Sequence, residues 1–147
     1  MQVRDFLREE NVLVGLNPSS KHQLLLQLSD LVGERASISP QVVLKALLDR
    51  ESLGSTGIGG GIALPHALVV GLGCEVCLVA RLARPIDFEA VDDVPADIVV
   101  LLLSPASSKG DALNILSCIA RRFRDEDVVR GMRAAQTSDE LFALLTG

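Results

Sequence analysis

The chain has 147 residues, of which 48% are apolar and 22% are charged, and its formal net charge is −5. This balance is typical of a globular protein with a full apolar core, and the length predicts one domain over residues 1–147. The negative net charge argues against nonspecific binding to nucleic acid, which depends on clustered Lys and Arg side chains. No apolar run approaches the roughly 20 residues that a membrane-spanning helix needs, so we expect no membrane partner.

The thiols and the N-terminal segment indicate the compartment. Residues 1–10 alternate charged and apolar side chains and lack the apolar stretch of a secretion signal. Three cysteines, Cys74, Cys77 and Cys118, are an odd number without framework spacing, which fits a reducing compartment. If Cys74 and Cys77 lie in extended chain around the start of a strand, residues three apart face opposite sides and cannot jointly hold zinc. We therefore expect a cytoplasmic protein with structural thiols, and we find neither a metal-binding cluster nor a cofactor motif.

The first half of the sequence predicts one strand followed by two helices. Residues 12–14 form the strand candidate. Residues 18–20 open a helix, because leucine and valine then recur on one face at helical spacing. A second helix begins at Ser39-Pro40, with serine as the N-cap and proline at the first helical position, and runs to about Arg50.

The second half predicts three strands and then three helices. The strand candidates are residues 62–64, 76–83 and 98–103. The last is six consecutive apolar residues, typical of a strand buried on both faces, so we expect helices on both sides of the sheet. The helices are indicated by apolar spacing over residues 113–123, by a capping residue at Asp125 and by a capping-box pair at Thr137 and Glu140.

The segment from Arg50 to His66 carries the most specific chemistry. It contains an arginine, two adjacent hydroxyls at Ser55 and Thr56, five glycines between positions 54 and 61, and a histidine behind Pro65. Backbone N–H groups, hydroxyls and a guanidinium are the groups that surround a bound phosphoryl group. An imidazole is a nucleophile that can carry that group. The pattern favours a phosphorylated histidine, with turn-forming glycines and an ordinary strand-end histidine as the plainer alternatives.

Two nucleotide-binding motifs are excluded for this segment. No Gly-Lys-Ser/Thr follows the glycines, as a Walker loop requires, and the dinucleotide fingerprint lacks its third glycine. The remaining interpretation needs a neutral His66 imidazole whose free nitrogen attacks the phosphoryl group, with Arg50, Ser55 and Thr56 donating to its oxygens. The other histidine, His22, lies in the first turn of a predicted helix and is expected at the surface.

The motif that ends at His66 resembles the active-site motif of enzyme IIA domains of the fructose/mannitol type in the bacterial phosphotransferase system. Segments 85–88, 90–92, 95–97 and 133–136 are similar to the nitrogen-regulatory branch of that family. The resemblance covers nearly the whole chain, and the motif is specific. It implies a single α/β domain, with a five-stranded mixed β-sheet sandwiched between α-helices. The matching residues are Arg50-Glu51, Gly54-Ser55-Thr56-Gly57-Ile58-Gly59 and Gly61-Ile62-Ala63-Leu64-Pro65-His66.

The resemblance also implies roles and partners. His66 would accept a phosphoryl group from a histidine-containing phosphocarrier protein, with Arg50, Ser55 and Thr56 close to it. No transporter domain is attached, which favours regulation of partner proteins by phosphorylation state. A sugar-specific enzyme IIA that passes phosphate to a separate transporter component, and a binding module that does not transfer phosphate, remain the alternatives.

One position departs from the family pattern. Family members usually carry a second histidine before a leucine in the helix after the last core strand, and here Ala112 precedes Leu113. We expect the first turn of this helix, beginning near Ser107, to face the segment that bears His66. Alanine cannot donate a hydrogen bond, so water or a hydroxyl from Ser55 or Thr56 would have to replace the histidine. The departure bears on transfer of the phosphoryl group more than on the identity of its acceptor.

Overall fold

The computed structural model describes residues 1–107 and 111–147. Strands and helices follow one another in the order that the sequence predicts, with helices concentrated at both ends of the chain. The elements are two short 3-10 helices (Val3–Asp5 and Glu9–Asn11), β1 (Val12–Leu16), α1 (Lys21–Ala36), α2 (Pro40–Ser52), β2 (Gly57–Gly59), β3 (Ile62–Ala63), β4 (His66–Val69), β5 (Val76–Ile86), β6 (Ala96–Pro105), α3 (Asp111–Arg122), α4 (Glu126–Ala134) and α5 (Ser138–Thr146).

The described strands form one mixed sheet in the order β1-β5-β6-β3-β2, and β4 also pairs with β6. Strands β1 and β5 are parallel, β5 and β6 are antiparallel, and β3 and β4 both run parallel to β6 along the same edge. The predicted α/β class is confirmed, and the sheet has six strands where the resemblance implied five. Strands β2 and β4 are three and four residues long, too short for a period of two to predict them.

Helices cover both faces of the sheet, as the apolar run in β6 predicts. The run contributes to two separate cores, and each of its six residues is no more than 2% exposed. A side chain buried this completely contributes about 1.5–3 kcal/mol relative to an exposed one, so β6 is the most strongly held part of the sheet. Ile98, Val100 and Leu102 pack in the core with α3, α4 and α5, whereas Val99, Leu101 and Leu103 pack in the core with α1 and α2.

Side-chain caps fix the start of three helices. Ser20, Asp125 and Thr137 each accept a hydrogen bond from a backbone N–H of the helix that follows. Ser39 stands at the predicted N-cap of α2, but its hydroxyl donates to the Gln41 side chain at 2.9 Å and caps no backbone group. Helix α3 begins at Asp111 in the described part, and residues 108–110, next to the expected start, lie outside the described residues.

The C-x-x-C pair is divided by burial. Strand β5 begins at Val76, so Cys74 precedes it and is exposed, whereas Cys77 lies inside the strand and is buried. Desolvation raises the pKa of the Cys77 thiol to about 12. The strand starts at Val76 as the sequence predicts, so the two thiols do not share it and their different burial separates them instead.

Candidate functional site

The glycine run forms the β2–β3 hairpin, and side chains from distant segments hold its turn. The Gly60 N–H donates to Asp92 at 2.9 Å, which lowers the pKa of that carboxyl. The Gly60 carbonyl accepts from Arg133, whose guanidinium also grips the Asp97 carboxylate. At Gly61 the backbone φ is +81°, and a Cβ would lie 2.5 Å from Nη2 of Arg133. These glycines therefore serve a turn and a close arginine contact, and the plainer interpretation is correct for this part of the run.

The two hydroxyls of the motif are engaged in internal hydrogen bonds. Ser55 Oγ donates to the Phe88 carbonyl at 2.8 Å and accepts from the backbone N–H two residues on, at 3.0 Å. Thr56 is 5% exposed. Its Oγ1 donates to one oxygen of the Glu51 carboxylate at 2.5 Å, and its N–H donates to the other oxygen at 3.1 Å. Both hydroxyl hydrogens already have acceptors, so these side chains shape the segment before β2.

Glu51 is the centre of a largely buried polar network. Besides both groups of Thr56, its carboxylate binds Nζ of Lys21 at 2.9 Å, and the two side chains are 6% and 14% exposed. The same Nζ lies 4.6 Å from the centroid of the Phe88 ring. This network joins the start of α1 to the end of α2 and to the glycine segment.

His66 is held at the start of β4 by strand pairing and by its own chain. Leu102 of β6 donates its N–H to the Pro65 carbonyl at 3.0 Å, and His66 stands opposite Leu102 in the parallel register. Nδ1 of His66 lies 2.7 Å from the Leu64 carbonyl oxygen. Because a carbonyl only accepts, Nδ1 of the neutral ring carries the hydrogen and Nε2 carries the lone pair.

A cavity of about 440 Å³ lies where α2, β4 and α3 meet, and it is lined by both Arg50 and His66. Its other lining residues include Ala112, in the first turn of α3, and Ser104 of β6. Ser55 and Thr56 are not among them. The exposed lining residues are Asp49 and two apolar side chains, Leu53 at 83% and Leu68 at 51% exposed. Of the predicted site residues, the structure thus brings Arg50 and His66 together and assigns the two hydroxyls to a neighbouring network.

Arg50 can offer most of its guanidinium to a ligand. It lies near the end of α2, and its Nη1 donates to the Gly54 carbonyl at 3.0 Å. Among the described residues no carboxylate forms an ion pair with it. A guanidinium has five N–H donors in a planar fork, so further donors remain for the oxygens of an anion in the cavity.

The structure adds two polar residues to this cavity that the sequence did not single out, Asp49 of α2 and Ser104 of β6. Ser104 is 1% exposed, and within residues 1–107 and 111–147 its Oγ has no hydrogen-bond partner. In the sequence it reads as the polar end of an apolar strand, and only the pairing of β4 with β6 brings it near His66. Ala112 lines the cavity as expected from its position, and His22 is exposed as expected.

Residues 1–107 and 111–147 contain neither a metal-binding cluster nor a membrane-spanning helix. No group of three or more His, Cys, Asp or Glu side chains there is arranged to hold a metal ion. None of the helices there combines the length and the apolar character needed to cross a membrane.

Comparison with known proteins assigns the family. The family model described as "Phosphoenolpyruvate-dependent sugar phosphotransferase system, EIIA 2" matches residues 5–147. A nitrogen regulatory protein of Bradyrhizobium diazoefficiens is 38% identical over 145 residues, covering 99% of this chain and 95% of that protein. A nitrogen regulatory protein of Escherichia coli is 38% identical over 147 residues, covering 99% of this chain and 90% of that protein.

A solved structure supports the same assignment. The crystal structure of nitrogen regulatory protein IIA-Ntr from Neisseria meningitidis superposes with a TM-score of 0.91 at 29% identity, and the match covers 97% of each chain. The agreement extends over the whole fold that carries the cavity. The chain therefore belongs to the EIIA 2 family of the phosphotransferase system, in its nitrogen-regulatory branch.

Proposed function

We propose that this chain is a phosphocarrier of the nitrogen-regulatory type, which accepts a phosphoryl group on Nε2 of His66 from a histidine-containing phosphocarrier protein. The observation that carries the proposal is the Nδ1 contact to the Leu64 carbonyl in a cavity shared with Arg50. That contact leaves Nε2 as the nucleophilic nitrogen and holds the ring in one tautomer.

The transfer step follows from this geometry. The lone pair of Nε2 forms a new N–P bond while the N–P bond of the donor histidine breaks, and that electron pair returns to the donor nitrogen. Nδ1 keeps its hydrogen and its bond to the Leu64 carbonyl throughout. Most of the barrier reduction in such a reaction comes from positioning and from stabilising charge on the phosphoryl oxygens.

Arg50 is the cation that supplies this stabilisation. Its guanidinium can bind two phosphoryl oxygens at once, and its existing bond to Gly54 restricts its position before the ligand arrives. Ser55 and Thr56 contribute by holding the segment between α2 and β2, since their hydroxyls are hydrogen-bonded there.

In this proposal the phosphorylation state of the chain controls partner proteins. The chain is then a regulatory end-point in the cytoplasm. The three free cysteines are compatible with a reducing compartment. Onward transfer to a sugar-specific acceptor is the competing outcome, and it is separated by adding such an acceptor to the phosphorylated protein. Retention of phosphate on this chain supports regulation, whereas rapid loss to the acceptor supports sugar transport.

The central experiment compares His66→Ala with His22→Ala. Each variant is incubated with the phosphorylated carrier and labelling is followed in time, with circular dichroism as the folding control. We expect His66→Ala to remain folded without labelling, and His22→Ala, at an exposed site on α1, to label like the parent. Undiminished labelling of folded His66→Ala would exclude the assignment.

A further inference from the structure

We propose that Ser104 is a phosphoryl-binding residue of the His66 site and that its hydroxyl supplies the hydrogen bond that Ala112 cannot. The inference rests on the proposed function and names a catalytic group that the motif around His66 does not contain. Ser104 lies on β6, outside the glycine-rich segment.

The first argument is the position of Ser104 relative to His66. In the parallel register His66 stands opposite Leu102, and Leu68 stands opposite Ser104. Residues two apart on a strand face the same side, so His66, Leu102 and Ser104 share one face of the sheet. Two residues along and one strand across correspond to about 8 Å between Cα atoms, from a rise of ~3.3 Å and a spacing of ~4.8 Å. A phosphorylated imidazole spans a gap of this size.

The second argument is the state of the hydroxyl. A buried hydroxyl without a partner costs stability, and such groups are rare in native proteins. Ser104 is 1% exposed and lines the cavity, and its Oγ lacks a partner among the residues that the structure describes. Two other buried side-chain polar atoms lack partners in the described residues, on Gln27 and Arg122, and neither residue lines this cavity. A donor held ready in a site at a cost to folding is typical of groups that stabilise charge during a reaction.

The third argument is that the two hydroxyls of the predicted site are already engaged in other hydrogen bonds. The hydroxyls of Ser55 and Thr56 already donate to Phe88 and Glu51, so using them on phosphate would break the segment they hold. Ala112 occupies the place of the family's second histidine and lines the same cavity as Ser104. The expectation that Ser55 or Thr56 replaces the missing histidine is therefore not supported by this geometry.

In the transfer step Ser104 acts only as a hydrogen-bond donor. The N–P bond to the carrier's histidine breaks and the bond to Nε2 of His66 forms, while the Ser104 O–H donates to one phosphoryl oxygen and keeps its proton. Arg50 binds the other oxygens from the α2 side of the cavity. The hydroxyl gains this acceptor only in the phosphorylated state, because in the free protein none of the described residues accepts its hydrogen.

The test compares Ser104→Ala with the parent, with Ser104→Thr and with Ser29→Ala. Ser29 is the matched control, because it is also 1% exposed and its hydroxyl donates to the Leu25 carbonyl within α1. Three quantities are measured for each protein: the single-turnover rate from the phosphorylated carrier, the half-life of the phosphohistidine after the donor is removed, and the urea midpoint of the unphosphorylated form.

We expect Ser104→Ala to accept phosphate about tenfold to a hundredfold more slowly, as loss of one hydrogen bond to a charged group predicts. Its phosphohistidine should decay faster, and its unphosphorylated form should be as stable as the parent or more stable. Ser104→Thr, which keeps a hydroxyl, should transfer at a rate near that of the parent, and Ser29→Ala should change stability without a specific effect on transfer.

Several results would overturn the inference. Equal rates and half-lives for Ser104→Ala and parent would show that the hydroxyl does not touch the phosphoryl group. A lowered urea midpoint of unphosphorylated Ser104→Ala would show a structural role instead. Failure of the parent itself to be labelled would remove the proposed function, whereas a labelled parent with an unaffected Ser104→Ala removes this inference alone.

Discussion

Replacing Glu51 with glutamine should destabilise the fold far more than loss of a surface charge does. The Glu51 carboxylate accepts from Lys21 at 2.9 Å and from the Oγ1 and N–H of Thr56 at 2.5 Å and 3.1 Å. Glutamine offers one carbonyl oxygen for these three donors, and its NH₂ group would face another donor. Lys21, 14% exposed, would be left without its counter-ion.

The magnitude follows from the burial of the pair. Removing one member of a buried ion pair costs about 3–5 kcal/mol. The residual exposure of Lys21 puts Glu51→Gln near the lower figure. At ~1.4 kcal/mol per factor of ten, the unfolding equilibrium should shift about a hundredfold. Simultaneous replacement of Lys21 by methionine should recover part of the loss, because it removes the unpaired cation.

Urea unfolding followed by far-UV circular dichroism measures this change, since the chain has neither Trp nor Tyr for fluorescence. The matched control is Asp49→Asn, which breaks the exposed Lys45–Asp49 pair on α2, whose side chains are 78% and 68% exposed. Such pairs contribute about 0–1 kcal/mol. If Glu51→Gln costs no more than Asp49→Asn, the network is not the anchor that its geometry indicates.

Two further substitutions test the site, and one labelling experiment tests the burial of the thiols. Arg50→Lys should slow single-turnover transfer to His66 by about 2–4 kcal/mol in activation free energy, because an ammonium lacks the planar fork; equal rates would assign Arg50 to structure. Ala112→His should speed transfer about tenfold or more in stopped-flow measurements, because each ~1.4 kcal/mol off the barrier gives a factor of ten. An unchanged rate would mean that the cavity is adapted to alanine. Cys74 should react with an aromatic disulfide reagent in the native protein at pH 8, whereas Cys77, with a pKa of about 12, is about one part in ten thousand thiolate and should react only after unfolding. Two equally fast thiols would contradict the burial of β5.

Long, strongly patterned segments of this fold could be predicted from the sequence. The six-residue apolar run of β6, the capping residues Asp125 and Thr137, and the starts of α1 after residues 18–20 and of α2 at Pro40 were all readable because they depend on neighbours in sequence. Strands β2 and β4 were not readable, because their existence depends on pairing with β3 and β6 rather than on their own pattern.

The candidate site shows the same division. His66 and Arg50 stand out through residue type and local motif, and they line one cavity. The engagement of Ser55 with Phe88, 33 residues away, could not be inferred from the motif. Ser104 was hidden because nothing in its sequence surroundings distinguishes an unpartnered hydroxyl from an ordinary strand end. Contacts between remote segments decide which hydroxyls are free, and a single sequence does not contain those contacts.

If His66 carries the proposed phosphoryl group, its pairing with the buried strand β6 bears on how a partner would distinguish the two phosphorylation states. Because the backbone at His66 is paired with β6, we expect phosphorylation to cause little conformational change there. A phosphoryl group adds about −1.5 to −2 charges at neutral pH, and here it would do so between the exposed side chains of Leu53 and Leu68. The exposed side chains of Leu53 and Leu68 would be the same for a partner in both states. The site between them would carry the positive charge of Arg50 in the unphosphorylated protein and an excess of negative charge in the phosphorylated protein. Discrimination would then lie in association rates that depend on ionic strength, with little change in the shape of the docking surface.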